Sequence, residues 1–295
     1  MKHHRPRLLF LLAVLCLAVC LLAGCAARAA TADPDADLPT IVIGSDSYPP
    51  FNYLSADGQP TGIDVELATE AFRRMGYKAQ FVTIDWVDKK ELVENGTVDC
   101  LWGSFSIDGR EDEYRWAGPY MVSRQVVAVM PGSDIETLAD LAGKTVSKGG
   151  YNISYNENGY ATSAIKTVAV QATTKPEALL LDGGDPRIPE VRALLSMQKR
   201  ELIYAYLSKG YADAVAAHET SILQFMSDFG IEYRILDEPL QVVGLGVAFA
   251  LNDDRGLDTA LNAALADMRA DGTTRAILAK YLPDPDKYLE VDYGR

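Results

Sequence analysis

Short runs of apolar and often β-branched residues alternate along the chain with segments in which apolar residues recur every three or four positions. The run 41–44 predicts a strand, and Ala68 and Phe72 follow the period of a helix that begins near Asp64 and ends at Gly76. The same reasoning predicts further strands at 81–82, 98–102, 125–130, 168–170, 212–216, 233–236 and 242–251. It predicts further helices around Leu92 and at 133–141, 175–181, part of 190–208, 219–229, 258–270 and 274–281. This alternation is typical of an α/β fold.

The order of these elements predicts two lobes. Two long extended segments, 125–130 and 236–250, bracket a central α/β block, and the last helices follow the second of them. A chain that crosses into a second lobe and then returns has this order. We therefore expect residues 40–126 and 241–295 to form lobe 1 and residues 127–240 to form lobe 2.

One irregularity interrupts the start of the second lobe. The tripeptide Lys-Thr-Val at 144–146 recurs 22 residues later at 166–168, and the residues between are rich in Gly, Asn and Tyr. The recurrence either arose by chance or marks an inserted loop or hairpin at about 145–166.

The N-terminus has the plan of a secretory signal, with Lys2, Arg5 and Arg7 ahead of an apolar run at 8–23. The run ends in Leu-Ala-Gly-Cys at 22–25, which resembles the lipobox of bacterial lipoproteins. That resemblance implies a signal peptide at 1–25 and a diacylglyceryl group, with its palmitate-type chains, on Cys25. An uncleaved anchor and an ordinary signal with an incidental cysteine are the alternatives. The Ala-, Asp- and Pro-rich residues 26–39 predict a flexible linker.

Composition narrows the functional classes. Of 295 residues, 48% are hydrophobic, and 41 acidic residues against 28 Lys and Arg give a net charge of −13. Such a chain lacks the basic surface of a nucleic-acid-binding protein, and an anionic membrane would repel it without a tether. A lipid tether places the protein outside the cytoplasm, in the bacterial cell envelope.

The cysteines and histidines limit the metal and disulfide chemistry. After Cys25 the only thiol is Cys100, so the predicted folded part contains no internal disulfide. His218 is the only histidine outside the N-terminal tail. We therefore expect no zinc site and no cofactor.

Several segments resemble the bacterial extracellular solute-binding proteins of family 3, which deliver polar amino acids to ABC importers. They are GSDSYPPF at 44–51, GIDVELA at 62–68, NGTVDC at 95–100, SFS at 104–106 with Arg110, WAGPY at 116–120, LADLAGK at 138–144, MRADGT at 268–273 and KYL at 280–282. The resemblance implies a two-lobed, periplasmic-binding-protein-like type II fold with two hinge strands. It also implies a monomeric, non-enzymatic receptor that binds a small polar solute, most simply an amino acid, and hands it to an ABC permease.

Arg110 is the candidate for binding a carboxylate, because a guanidinium donates two parallel hydrogen bonds and because the family's carboxylate-binding arginine lies at this position. Gly103, Ser104 and Ser106 offer backbone groups and hydroxyls beside it. The loop between Ser106 and Arg110 is one residue shorter than is usual in the family. Alternatively, Arg110 is a surface residue neutralised by the acidic residues 111–113.

Lobe 2 offers a second group for an anion. Thr173 and Thr174 open a helix, and the spacing from Thr174 to Glu177 fits a capping box. The free N–H groups at such a helix start attract a carboxylate, although capping alone would explain the same residues.

Aromatic and charged residues of lobe 1 complete the candidate ligand-binding site. The resemblance implies that Tyr48, Phe51 and Trp86 form an aromatic wall, although core packing is the ordinary use of such residues. Asp46 can meet a polar or cationic side chain of the ligand, or it can cap a turn.

The main departure from the family lies after the strand at 212–216. The family has an aspartate there that binds the ligand ammonium, whereas this chain has His218 followed by Glu219. Either Glu219 takes that role, or the ligand is not a standard α-amino acid, or His218 only begins a helix.

Two other functions remain open at this point. Some relatives on this fold are dehydratases (lyases) that act on cyclic carboxylic acids, and His218 with Glu219 could serve as acid and base. A ligand-sensing ectodomain that signals through a partner is the other. The sequence does not identify the solute or the cognate permease.

Overall fold

The computed structural model describes residues 37–142, 154–155, 161–162 and 166–290. The described residues from Thr40 onward form one compact unit. The predicted signal peptide, Cys25 and most of the predicted linker therefore lie outside the described residues. Within the described part, no helix is both long enough and apolar enough to span a bilayer.

The described strands are short except for two. They are β1 (Thr40–Ser45), β2 (Tyr53–Leu54), β3 (Pro60–Thr61), β4 (Lys78–Thr83), β5 (Cys100–Ser106), β6 (Arg115–Val129), β7 (Ser154–Tyr155), β8 (Ala161–Thr162), β9 (Thr167–Gln171), β10 (Ala193–Met197), β11 (Ala214–His218), β12 (Arg234–Ile235) and β13 (Gln241–Phe249). The α-helices are α1 (Ile63–Arg74), α2 (Lys89–Glu94), α3 (Lys175–Asp182), α4 (Arg200–Ser208), α5 (Glu219–Phe229), α6 (Leu257–Ala270) and α7 (Thr273–Leu278).

One sheet connects most of these strands, in the order β10-β9-β11-β6-β13-β5-β1-β4, with β12 also paired to β6. Strands β4, β1 and β5 are parallel, and so are β10, β9 and β11. The long strands β6 and β13 run antiparallel to their neighbours and separate these two parallel sets. We call the β1–β5 side with α1, α2, α6 and α7 lobe 1, and the β9–β11 side with α3–α5 lobe 2.

Strands β6 and β13 pair from Gln125 with Gln241 to Arg115 with Phe249. The register shifts between Leu245 and Val247, where Gly246 alone lies opposite the three residues 118–120, so the extra residues of the bulge belong to β6. Beyond this pairing, residues 125–129 of β6 pair with β11. A single strand therefore carries hydrogen bonds to both lobes, as expected for a hinge strand.

Each lobe buries apolar side chains on both faces of the sheet, because successive strand residues point to opposite sides. In lobe 1, Trp102 packs in the cluster beneath α1 and α6, whereas Leu101 packs in the cluster with Val93 of α2. In lobe 2, Val127 and Val126 divide in the same way between two clusters. Each lobe thus has its own core.

These separate cores support the predicted lobe boundaries, and we propose that the lobes divide near residues 126 and 241. Within the possible insertion at 145–166, the described residues are Lys166 and the short strands β7 and β8, which pair antiparallel. The rest of that insertion lies outside the described residues.

The predicted strand at 125–130 begins ten residues earlier in the structure, because β6 spans Arg115–Val129. The predicted helix at 133–141 is wrong, since only a 3₁₀ turn forms at Leu138–Ala142. Here the Asp140 carboxylate accepts hydrogen bonds from the backbone N–H groups of Glu136 and Thr137, which satisfies amides without a helix. Within 190–208, the predicted helical part forms as α4 at Arg200–Ser208, whereas Ala193–Met197 form strand β10, which the apolar pattern did not predict.

Gly246 in the hinge strand provides a test of the β6–β13 packing. A Cβ added there would lie 2.8 Å from the Ile107 side chain and 2.9 Å from the Ala117 carbonyl oxygen. We expect Gly246→Ala to lower the free energy of unfolding by about 1–3 kcal/mol through overpacking. Gly132→Ala is the control, because no atom lies within 4 Å of its added Cβ. Urea denaturation measures both, and equal stabilities would contradict the described packing.

Candidate functional site

A pocket of about 280 Å³ lies where the carboxyl ends of β1 and β5 in lobe 1 meet those of β9 and β11 in lobe 2. Parallel α/β sheets commonly bind ligands beyond the carboxyl ends of their strands, where loops converge. The residues that line the pocket are Tyr48, Trp86, Gly103, Ser104, Phe105, Ser106, Arg110, Thr173, Thr174, Lys175, Arg200 and His218.

Arg110 lies in the loop after β5 and extends along the pocket wall. Its Nη1 donates to Ser106, at 3.2 Å from Oγ and 3.4 Å from the carbonyl oxygen, and its guanidinium lies 5.3 Å from the Phe105 ring centroid. Burial lowers the pKa of Arg110 below its ordinary value. No described residue accepts a hydrogen bond from Nε or Nη2, so this edge of the guanidinium can bind a carboxylate. The shorter loop still brings the arginine to the pocket.

The turn between β9 and α3 forms the lobe 2 wall. The Thr173 N–H donates to Glu177 Oε2 at 2.6 Å, and the Thr174 hydroxyl donates to the Gln171 carbonyl oxygen at 2.6 Å. In a capping box, the Glu177 carboxylate would accept a hydrogen bond from the backbone N–H of Thr174. Here it accepts one from the N–H of the preceding residue, Thr173. Thr173 has φ of 59°, which is a strained conformation for a β-branched residue.

Lys89 connects the two lobes behind the pocket. Its Nζ donates to the Trp86 carbonyl oxygen at 3.2 Å and to Thr173 Oγ1 at 3.1 Å, and it lies 5.2 Å from the Trp86 ring centroid. Burial, followed by the nearby charge of Arg110, lowers the pKa of Lys89 to about 8. A buried ammonium in this position adds positive potential to the pocket.

Asp46 and Arg200 form the second contact between the lobes. Arg200 Nη2 lies 3.1 Å from Asp46 Oδ2, and Gln171 Nε2 donates to the same oxygen at 2.9 Å. Arg200 Nη1 also donates to the Ser47 carbonyl oxygen, and its guanidinium stacks over the Tyr48 ring. The Oδ2 atom of Asp46 is thus used within the protein, whereas Oδ1 is buried without a partner among the described residues.

His218 ends β11 and contacts the hinge strand. Its Nδ1 lies 2.8 Å from Ser123 Oγ and 3.1 Å from Gln125 Nε2, and its ring packs edge-on against Tyr48 and Phe51. Burial, followed by the charge of Arg200, lowers the pKa of His218 to about 3. The imidazole is therefore neutral at physiological pH.

Glu219 points away from this chemistry. Its carboxylate accepts a hydrogen bond from Lys287 Nζ at 2.8 Å and lies 3.8 Å from Arg124 Nε. It is not among the described residues that line the pocket. In this conformation Glu219 is not placed to bind a ligand ammonium.

The floor of the pocket is shaped by Gly103 and Ser104. A Cβ on Gly103 would lie 2.7 Å from Ser45 Oγ and 3.2 Å from the Trp86 ring, so glycine lets the strand approach these neighbours. Ser104 has φ of 48°, and its N–H donates to Asp64 Oδ2 at 2.7 Å. The Ser104 hydroxyl is buried without a partner among the described residues and is available to a ligand.

Asp64 supports Ser104 from below. It is fully buried, and its Oδ1 accepts a hydrogen bond from the Tyr120 hydroxyl at 2.8 Å. Burial raises the pKa of Asp64 to about 7, although the hydrogen bonds from Tyr120 and Ser104 act in the opposite direction.

The structure brings nine of the residues predicted from the sequence to the pocket: Tyr48, Trp86, Gly103, Ser104, Ser106, Arg110, Thr173, Thr174 and His218. Asp46, Phe51 and Glu219 lie behind it. Sequence reasoning missed Phe105, Lys175 and Arg200 among the lining residues. Lys175 stands inside the Thr-Thr-Lys-Pro-Glu motif and Phe105 inside Ser-Phe-Ser, so both had a local signal, whereas Arg200 had none.

The sequence matches a family model described as bacterial extracellular solute-binding proteins, family 3, over residues 41–284. It is 30% identical over 261 residues to the histidine-binding periplasmic protein of Salmonella typhimurium, covering 84% of this chain and 89% of that protein. It is 27% identical over 240 residues to the putative amino-acid ABC transporter-binding protein PatH of Vibrio harveyi, covering 80% and 86%.

Solved structures share the fold. A Streptococcus pneumoniae ABC uptake transporter substrate-binding protein with bound histidine matches with a TM-score of 0.70 at 22% identity, covering 83% of this chain and 93% of that one. An ancestral arginine-binding protein bound to arginine matches with a TM-score of 0.68 at 22% identity, covering 82% of this chain and 98% of that one. AncCDT-1, an ancestral amino-acid-binding protein and precursor of cyclohexadienyl dehydratase, matches with a TM-score of 0.66 at 22% identity, covering 82% of this chain and 94% of that one. These matches confirm the predicted two-lobed α/β fold.

The pKa values of Asp64 and His218 predict opposing effects of pH on stability. Asp64 titrates at about 7 when folded and near 4 when unfolded, so the folded state binds more protons in this range and loses stability as pH rises. His218 titrates at about 3 when folded and near 6.5 when unfolded, so the folded state binds fewer protons and gains stability as pH rises. The two effects cancel between about pH 4 and 6.5.

A substitution that removes one of the two titrating groups therefore reveals the effect of the other on the pH dependence of stability. We expect the free energy of unfolding of Asp64→Asn to rise with pH, relative to wild type, by about 1 kcal/mol per pH unit between pH 4 and 6.5. His218→Gln should show the opposite slope. Urea denaturation at several pH values measures both, and a variant that keeps the wild-type pH slope would show that its residue does not titrate in this way.

Proposed function

The chain belongs to the bacterial extracellular solute-binding proteins, family 3, and from this premise we propose that it is the substrate-binding component of an ABC importer for a small polar solute, an amino acid or a close relative. The relatives support this proposal, because one is named as a histidine-binding periplasmic protein and another as a putative amino-acid ABC transporter-binding protein.

The position of Arg110 carries the proposal. Its guanidinium is held by Ser106 and Phe105 on one side, and its remaining donors border the same pocket as Thr173 and Thr174. A carboxylate bound to Arg110 would contact lobe 1 and lobe 2 together. Contacts of this kind favour the state with the lobes together, because a ligand shifts a conformational equilibrium only through interactions that differ between the two states.

We also propose that a lipid on Cys25 holds the protein to the outside of the cytoplasmic membrane, within the cell envelope. The basic start, the apolar run and the Leu-Ala-Gly-Cys sequence support lipidation, and two acyl chains suffice for stable anchoring. An ABC permease in the same membrane would then receive the solute from the pocket.

We propose that the chain is not an enzyme. AncCDT-1 is a precursor of a dehydratase on this fold, but the residues of this chain that would serve as acid and base are otherwise engaged. His218 stays neutral because of burial, and Glu219 is bound to Lys287. A sensor role would require a partner protein, and no observation on the described residues favours it over transport.

The assignment of Arg110 is tested by a thermal-shift screen with amino acids, cystine, polyamines and cyclic acids, followed by calorimetry with the compound that stabilises the protein most. We expect Arg110→Ala to weaken binding of that compound by about 2–4 kcal/mol, because one partner of a buried charge pair is lost. The control is Arg192→Ala, at an exposed arginine of lobe 2. An unchanged dissociation constant for Arg110→Ala would remove this residue from the site.

Lipidation is tested by growth of bacteria that express the full chain with labelled palmitate. The wild-type protein and Cys20→Ser, which changes a cysteine inside the apolar run, should incorporate label, whereas Cys25→Ser should not, because only the Cys25 thiol can form the thioether. Label retained by Cys25→Ser would contradict the lipobox assignment.

A further inference from the structure

Positive charge is concentrated at the pocket. Arg110, Lys175 and Arg200 line it, and Lys89 lies directly behind Trp86 with its Nζ on Thr173. The charge of Arg110 contributes to lowering the pKa values of both Lys89 and Lys175, after the larger effect of burial. The cations are therefore near enough to one another to interact.

Negative charge at the pocket is sparse. None of the described residues that line it carries a carboxylate. Asp46 stands next to them, and its charge is paired with Arg200 through Oδ2, which Gln171 also contacts, while its Oδ1 is buried without a partner among the described residues. His218 is neutral, and Glu219 is bound to Lys287 outside the pocket.

This balance is unsuited to an ordinary zwitterion. The carboxylate of an amino acid would find Arg110, but its ammonium would be buried beside several cations with no free acceptor carboxylate among the described lining residues. An unpaired buried charge is strongly unfavourable. The excess of cations matches a ligand that brings more than one negative charge.

Resting on the proposed function, we infer that the solute is a small organic acid with two carboxylates. One carboxylate binds Arg110, with Ser106 and the Ser104 hydroxyl beside it. The other lies toward Lys175 and the Thr173–Thr174 turn. Arg110, Lys175 and the two threonines line the same small pocket, so the two acid groups are joined by a short chain.

Isosteric probes test this inference on the full chain in detergent. Glutarate, glutamate and glutamine share one carbon skeleton and differ only in charge and amine, and arginine and histidine serve as cationic and near-neutral amino acids. We expect glutarate or glutamate to bind at least about tenfold more tightly than glutamine, because one charge-assisted hydrogen bond is lost with the second carboxylate. Tighter binding of glutarate than of glutamate would show that the amine finds no acceptor, and the reverse that one exists.

A matched pair of lysine variants localises the second carboxylate. Lys175 Nζ donates to the Asp108 carbonyl oxygen at 3.1 Å, and a glutamine amide can donate there as well, so Lys175→Gln removes charge while preserving this contact. We expect it to weaken glutarate or glutamate binding by about tenfold and glutamine binding by much less. Lys209→Gln, at an exposed lysine of the same lobe, should leave all three unchanged.

Proton uptake gives a second readout. Lys89 has a pKa of about 8, lowered by burial and by Arg110, while Glu113, Asp46 and Glu177 act in the opposite direction. A bound dianion would raise this pKa, so calorimetry in two buffers at pH 8 should detect net proton uptake, and affinity should fall above pH 8. The carboxylates of the ligand stay ionised throughout. Lys89→Met should abolish the uptake.

The outcomes separate the inference from the proposed function. Tighter binding of glutamine, arginine or histidine than of both dicarboxylates would overturn the inference and leave the receptor function in place. Binding of none of the amino acids or acids would overturn both. Equal effects of Lys175→Gln on glutamate and glutamine would also contradict the placement of a second carboxylate near Lys175.

Discussion

The antiparallel pairing of β6 with β13 is the constraint on which the rest of the structure depends. Strand β6 bonds to β13 along most of its length and to β11 at its end, and β13 bonds to β5, so this pair of strands holds the two parallel sets of one sheet in a fixed register. A slip of one residue would turn every buried side chain to the opposite face. The pairing of β6 with β11 sets Gln125 opposite His218, whose ring also contacts Ser123, and thereby ties the pocket to the hinge.

The site shows three solutions to the cost of burying a cation. Arg200 is paired with a carboxylate, Asp46, inside the protein. Lys89 has a carbonyl oxygen, a hydroxyl and the face of Trp86 as partners, but burial, followed by the charge of Arg110, still lowers its pKa. Arg110 has hydrogen-bond partners for only one nitrogen among the described residues, and under the proposed function a bound carboxylate would complete its shell. Of the three buried cations, Arg110 is thus the one whose desolvation the described residues offset least.

Residues whose role depends on local sequence could be predicted, and those whose role depends on the meeting of the lobes could not. Arg110 and Thr173 stand in short motifs after strands, and both line the pocket. Arg200 follows a strand that the apolar pattern did not reveal, and its partner Asp46 is 154 residues away. Its role depends on how the lobes meet.

The fold shows the same limit. The two-lobed α/β order could be predicted because two long apolar segments bracket a central α/β block. A strand that connects two lobes has to be longer than the strands within one lobe. The helix predicted at 133–141 failed because the period of its apolar residues is shared by a turn in which Asp140 binds the backbone. The period of the apolar residues indicates which side chains are buried. In this segment the hydrogen bonds of a polar side chain to the backbone favour a turn over a helix.

The direct contacts between the lobes have a consequence for delivery. Asp46 with Arg200, Lys89 with Thr173, and Lys175 with the Asp108 carbonyl join the lobes directly. These contacts lower the free energy of the conformation with the lobes together, without any contribution from a solute. Under the proposed function, release of the solute requires these contacts to break as well, so the free energy of opening includes their loss.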